Sequence, residues 1–276
     1  MSPMEIPKFI LEGFGIGRSH SIANKLRWGP DGWLYATQGS TVTGAIRRPG
    51  SKDPPIHSLG QLVWRYHPTK RIYEIFAEGG GNAFGVELDA AGRIFSGHNG
   101  GNTRGFHYVQ GGYYAKGFGK HGALSNPFTF GYFEAMAHHD VPRFSHTYVI
   151  YQDTALPEKY RGKLFGVGPL QSHVMYSEVM PGSQQFQRSD LGLALQTTDT
   201  WFRPVDIQVG PDGAIYVVDM RLSSGLTTSH YQGHSQIVGP ALSHCFQGCC
   251  QEISRSINRP RIKCSILHHR IARFAN

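Results

Sequence analysis

Short alternating runs of apolar and polar residues, punctuated by glycine, proline and aspartate, occupy most of the chain. Gln61-Leu-Val-Trp-Arg-Tyr66 alternates, turns at His67-Pro-Thr-Lys70 and returns as Ile72-Tyr-Glu-Ile-Phe76. A second run, His173–Val179, turns through Pro181-Gly182 towards Phe186. Alternation with a period of two marks strands with one buried face, and turn residues between such runs mark hairpins. Helical periodicity is confined to two short stretches, around Glu134–His139 and Ala155–Tyr160.

A repeat overlies these hairpins. Gly-x-aliphatic-aromatic occurs as Gly32-Trp-Leu-Tyr35, Gly92-Arg-Ile-Phe95, Gly162-Lys-Leu-Phe165 and Gly213-Ala-Ile-Tyr216. Two copies have the fuller form Gly-Pro-Asp-Gly, at 29–32 and 210–213, and Asp89-Ala-Ala-Gly92 is a decayed third. Apolar residues flank each of these three, so each reads as strand, tight turn, strand. The spacing predicts hairpin strands over 26–36, 86–96, 162–168 and 207–218. Repeats of roughly 50–70 residues, with about four strands each, predict an all-β chain of β-propeller blades. A β-sandwich with repeated turn chemistry is the alternative. Four turn motifs supply fewer blades than a large closed ring requires, so the reading is an incomplete set of blades over residues 1–236.

Residues 237–276 break the pattern. They lack Gly-aromatic hairpins and hold all four cysteines, Cys245, Cys249, Cys250 and Cys264. This atypical tail reads as the product of a truncated or frame-shifted reading frame and is expected to be poorly structured. Composition agrees with the β reading, with 35 glycines, 12% aromatic and only 17% charged residues. Such an aromatic content excludes disorder for the body. The formal net charge of +8 would point to nucleic acid if it were spread over the chain. Residues 221–276, however, carry seven Arg and Lys against Glu252 alone, and residues 1–220 are close to neutral. No nucleic-acid partner is therefore expected. No stretch approaches the ~20 apolar residues of a membrane span, and the first residues show no secretory signal.

An ordered set of motifs carries a resemblance. Leu26-Arg-Trp-Gly-Pro-Asp-Gly-Trp-Leu-Tyr35, Ile72–Phe76, Gly80-Gly-Asn-Ala-Phe-Gly85, Val109-Gln-Gly-Gly-Tyr-Tyr114 and Phe202-Arg-Pro-Val-Asp206 together span about residues 15–225. They resemble the propeller domain of the haem-binding "membrane-bound dehydrogenase" proteins, and through it the soluble quinoprotein glucose and sorbosone dehydrogenases. The resemblance implies a six-bladed propeller that binds pyrroloquinoline quinone (PQQ) and calcium and oxidises sugar-like alcohols or aldehydes. It further implies a periplasmic setting and a separate cytochrome-type electron acceptor. It assigns His20 as general base, Asn82 and Arg203 as quinone contacts, Gly100 as a close backbone approach to quinone and calcium, and Gly101 beside it at the metal. Three positions depart from the family. Gly81 stands where it has an arginine, Ser19 where it has an acid, and Gln171 where it has a lysine, and no Cys-x-x-Cys-His haem motif is present.

The residues themselves permit blander readings. A histidine suits base catalysis because its pKa of ~6.5 lies near neutrality, yet His20 also reads as an ordinary loop residue. Ser96-Gly-His-Asn-Gly-Gly-Asn-Thr-Arg104 follows a strand, and its glycines would let backbone carbonyls approach a cation, or it is a plain glycine-rich turn. His138, His139 and Asp140 are adjacent and cannot converge on one metal from a strand. Cys245, Cys249, Cys264 and His268 approximate zinc spacing, although the residues between them lack a zinc-finger pattern. The chain thus reads as a quinoprotein-type sugar dehydrogenase, or as a non-catalytic module whose long loops, Gly39–Leu59 and Gly111–Phe133, bind a polysaccharide or a protein. The missing arginine and lysine favour the module.

Overall fold

The computed structural model describes residues 9–17, 21–98, 105–116, 119, 124–136, 147–182, 186–197, 202–219 and 242–245. Two compact units divide the chain, one of Met1–Phe144 with Met180–Gln187, the other of Ser145–Val179 with Arg188–Asn276. Within the described residues regular structure is all strand, apart from one 3₁₀ turn at Glu158–Tyr160. No helix there is long and apolar enough to cross a membrane.

The first unit holds β1 (Glu12–Phe14), β2 (Ala23–Trp28), β3 (Leu34–Gln38), β4 (Gly44–Arg47), β5 (Ile56–Ser58), β6 (Leu62–His67), β7 (Ile72–Glu78), β8 (Ala83–Leu88), β9 (Ile94–His98), β10 (Phe106–Tyr108), β11 (Gly112–Tyr114) and β12 (Phe130–Phe133). Strands β2, β3, β6 and β7 form an antiparallel meander, which β11 and β12 extend by parallel pairing. Strands β8, β9 and β10 make a second sheet, and β1, β4 and β5 a third. Both faces of β6 are buried, which its sequence Leu-Val-Trp-Arg-Tyr-His allows. Val63 faces a core with Tyr35, Phe76, Ile94, Phe106 and Tyr114. Leu62, Trp64 and Tyr66 face the opposite core with Ile46, onto which Phe14 packs. The guanidinium of Arg65 stacks 4.1 Å above Trp33 and bonds Glu74, so this buried cation is paired and its stem covered.

The second unit holds β13 (Tyr148–Ile150), β14 (Leu164–Gly168), β15 (His173–Pro181), β16 (Phe186–Gln196), β17 (Pro204–Val209), β18 (Ile215–Asp219) and β19 (Leu242–Cys245). Strands β13 to β16 form an antiparallel sheet in chain order, as propeller blades do. Val149, Tyr151, Phe165, Val167, Ile207 and Val217 build its core. Strand β19, from the tail segment, pairs antiparallel with β18 from Tyr216↔Cys245 to Asp219↔Leu242; the rest of the tail, Cys249, Cys250, Cys264 and His268 included, lies outside the described residues.

The repeated turn has one physical basis in both Gly-Pro-Asp-Gly copies. Asp31 accepts the Trp33 N–H and the Tyr35 hydroxyl, at 3.3 and 2.7 Å; Asp212 accepts the Ala214 N–H and the Tyr216 hydroxyl, at 3.1 and 2.9 Å. The last glycine has positive φ in each copy, +78° at Gly32 and +75° at Gly213, which glycine adopts without strain. Asp89 serves the decayed copy through the N–H groups of Ala91 and Arg93. Gly162 differs, because the expected β-hairpin turn is replaced by the 3₁₀ connection between β13 and β14. Of the two helical expectations, Ala155–Tyr160 contains that 3₁₀ turn, and Glu134–Met136 is irregular with the Met136 N–H bonded to the Gly105 carbonyl. His138–Asp140 lies outside the described residues.

Candidate functional site

The ends of β3, β7 and β9 and the starts of β2, β6 and β8 fall together in the first unit, because antiparallel register pairs Ala23 with Gln38, Gln38 with Leu62, Leu62 with Glu78 and Ala83 with His98. Backbone bonds continue past the strands, from Gly39 N–H to Ser21 carbonyl and from Gln61 N–H to Gly39 carbonyl, each 3.0 Å. Asn82 stands at this end, buried. Its Oδ1 accepts from the Ser21 hydroxyl (3.1 Å), the Ser40 N–H (2.9 Å) and the Ser40 hydroxyl (3.1 Å). A carboxamide oxygen with three donors has no capacity left, so the group that remains for a ligand is the Nδ2 amide, a donor. Among the described residues Nδ2 makes no hydrogen bond.

Gly79, Gly80 and Gly81 lead into Asn82 with φ of +108°, +92° and +67°. A Cβ at Gly81 would overlap the His98 imidazole, lying 2.7 Å from Nδ1. Position 81 therefore has no room for a side chain while His98 keeps its place. Burial pushes the His98 pKa down to about 4, opposed by a hydrogen bond to Gly80, so the ring is neutral at pH 7. Its Nδ1 is buried without a partner. One residue from Gly79, the Glu78 carboxylate accepts from Lys116 Nζ (2.6 Å), Ser125 N–H (2.6 Å) and Asn126 N–H (3.0 Å). Both side chains of this ion pair are 0% exposed.

Arg203 lies in the second unit, just before β17. Its N–H donates to Asp219 at the end of β18, and its Nη1 to the Ser172 hydroxyl and the Phe202 carbonyl. Ser172 follows Gln171, whose N–H bonds the Gly168 carbonyl, so positions 171 and 203 share one strand end of that unit. His20, Gly100 and Gly101, with Ser19, lie outside the described residues. The structure thus organises Asn82 with Ser21, the neighbour of His20 in sequence, and Arg203 beside Gln171. Sequence reasoning passed over Ser21, Ser40 and the Glu78–Lys116 pair, and took His98 only as part of the glycine-rich stretch.

The chain matches, over residues 7–223, the family described as "Domain of unknown function (DUF7133)". It belongs to that family. No curated protein matches this DUF7133 member. Among solved structures, an oxidoreductase (glucose dehydrogenase) of Thermus thermophilus aligns at TM-score 0.47 and 21% identity, over 72% of this chain and 58% of that one. The apo soluble aldose sugar dehydrogenase of Escherichia coli aligns at 0.46 and 16%, over 71% and 60%. The PQQ-bound aldose sugar dehydrogenase of Streptomyces coelicolor aligns at 0.43 and 17%, over 72% and 56%. The DUF7133 chain spans less than two thirds of the length of each.

A bound quinone sets a definite requirement at this geometry, since its carboxylates call for cationic donors. Among the described residues the groups bonded to Asn82 are hydroxyls and an N–H, a side chain at Gly81 would overlap the His98 ring, and Lys116 is buried against Glu78. The described residues at this end therefore do not by themselves fit a quinone held by its carboxylates.

Proposed function

We propose that this DUF7133 chain is a sugar-dehydrogenase-like propeller unit that recognises an uncharged, polyhydroxylated ligand at the Asn82 strand end and lacks a complete quinone site. The observation that carries this reading is the Asn82 carboxamide. Three donors fix its oxygen, so its amide points a preorganised donor at a hydroxyl or carbonyl oxygen, with no described cation beside it to favour an anion. Preorganisation of this kind reduces the ordering cost of binding. Calorimetric titration with aldoses should show binding that Asn82→Asp, which keeps the acceptor for Ser21 and Ser40 and removes the Nδ2 donor, weakens at least tenfold with only a modest shift in melting temperature.

A second reading remains distinct, because Arg203 is an ordered arginine at a strand end. On that reading the chain oxidises sugar-like alcohols or aldehydes with PQQ and calcium, His20 is the base, Asn82 and Arg203 contact the quinone, Gly100 and Gly101 lie at the metal, and electrons pass to a cytochrome-type acceptor. Titration with PQQ and calcium followed by dye-linked aldose oxidation separates the two. No quinone binding is the expected result. Turnover that requires PQQ and disappears in His20→Ala would overturn the proposal.

A further inference from the structure

A cavity of about 1270 Å³ opens on the first unit, away from Asn82. One wall is the small sheet of β1, β4 and β5, the other is the 124–128 loop, and Glu74 and Ile75 of β7 lie between them. Strands β4 and β5 and the 124–128 segment belong to the two long loops, Gly39–Leu59 and Gly111–Phe133. We infer that this cavity is a groove for an uncharged glycan chain, independent of the strand-end site.

Three observations carry the inference. The first is an aromatic ring held away from the core. Phe128, which lines the groove, is 86% exposed. The 124–128 loop is nonetheless fixed, because Glu78 takes the N–H groups of Ser125 and Asn126, and Asn126 Oδ1 takes that of Phe128 at 2.9 Å. An aromatic ring held in water by a rigid loop is ready to stack without further loss of entropy, and the apolar C–H face of a pyranose is a suitable partner.

The second is the polar lining. Ser58, His57, Gln110 and Asn126 line the groove, and the Ser58 hydroxyl is buried with no hydrogen-bond partner. An unsatisfied buried hydroxyl calls for a ligand or water to complete it. The third is charge. Glu74 is the only Asp, Glu, Lys or Arg among the described lining residues, and it is paired with Arg65. A groove with paired charge, amide and hydroxyl groups and an exposed ring matches a chain of sugars, which offers many hydroxyls and flat apolar faces and no charge. Acidic peptides and phosphorylated ligands find no unpaired Lys or Arg among the described lining residues.

The full chain should be run by native electrophoresis through gels containing mixed-linkage β-glucan, xylan or glucomannan, with polygalacturonate as the charged control. Retardation is expected in at least one neutral glycan and not in polygalacturonate. Phe128→Ala should weaken it at least tenfold without lowering the melting temperature, since the ring contributes little to the core. Ser58→Ala should weaken it severalfold and leave melting unchanged. Asn82→Asp, which keeps the acceptor for Ser21 and Ser40, should not alter it, so loss of aldose binding and loss of glycan binding are separable. No retardation in any neutral glycan, retardation unchanged by Phe128→Ala, or a dimer that Phe128→Ala dissociates in place of glycan binding would each overturn the inference.

Discussion

Replacing Glu78 by alanine removes the carboxylate that the buried Lys116 ammonium ion bonds at the end of β7. The Lys116 and Glu78 side chains are both fully buried, 2.6 Å apart, and the same carboxylate receives the Ser125 and Asn126 N–H groups. Breaking a buried pair from one side costs about 3–5 kcal/mol, because the surviving charge keeps its desolvation penalty. Two orphaned N–H groups would add about 1–3 kcal/mol each if they stayed buried. Their loop is at the surface and can turn to water, so about 3–5 kcal/mol is the expected total. Against a typical stability of about 5–15 kcal/mol this is a large fraction. Lys116→Met should cost less, because the two N–H donors continue to stabilise the carboxylate. Glu78→Ala/Lys116→Met, which removes both charges, should cost less than the two single changes combined. Denaturant unfolding of the four proteins gives the coupling energy, and hydrogen exchange at Ser125 and Asn126 reports the loop directly. A Glu78→Ala cost below about 1 kcal/mol, or additive single costs, would refute the buried-pair argument.

Gly81→Ala combines positive φ with a clash into His98 and should destabilise by about 2–4 kcal/mol in thermal or denaturant unfolding, a cost that His98→Ala partly relieves. His98, with its folded pKa depressed to about 4 by burial, contributes stability that is present above its unfolded value of 6.5 and is lost as pH falls towards 4. The loss amounts to about 3 kcal/mol, and His98→Gln should flatten the curve of denaturation midpoint against pH over that range. Tyr35 is pushed up to about 12 by burial and by its hydrogen bond to Asp31, so its stabilising contribution is complete below pH 10 and lost as pH rises through about 12. Ultraviolet titration of Tyr35→Phe against the parent should remove a phenol that ionises late.

The hairpins were legible because their determinants are local. In Gly-Pro-Asp-Gly-x-x-Tyr the aspartate, the N–H it accepts and the tyrosine hydroxyl lie within five residues, so a short window contains the whole turn. Gly162 has the same residues after it but not before it, and its N–H bonds the Tyr151 carbonyl across a longer connection. The parallel addition of β11 and β12 to β7 was not legible, since alternation marks a strand but not the direction of its neighbour. The β1–β4–β5 sheet was also missed, because its strands are three or four residues long and interrupted by glycine and proline. At the strand end Asn82 could be picked out by motif, whereas the partners that orient it are 61 and 42 residues away.

Charge placement is the physical basis for proposing uncharged ligands at the two sites of the first unit. Three of its partly or fully buried cations each have a carboxylate within hydrogen-bond reach: Arg27 with Glu87 at 2.7 Å, Lys116 with Glu78 at 2.6 Å, and Arg65 with Glu74 at 2.6 Å. A paired ion acts on a distant ligand as a dipole, whose field falls faster than that of a single charge and is further screened at the surface. What remains near Asn82 and in the groove between β5 and the 124–128 segment is the short-range direction of amides, hydroxyls and backbone groups. Such groups discriminate by position, rewarding a ligand that offers matching donors and acceptors, and they provide little compensation for stripping water from an anion. Burial acts in the same sense on His98, the one described imidazole beside the strand end: the desolvation that keeps it neutral lets it fill the space at Gly81 without adding the cation a quinone carboxylate would require.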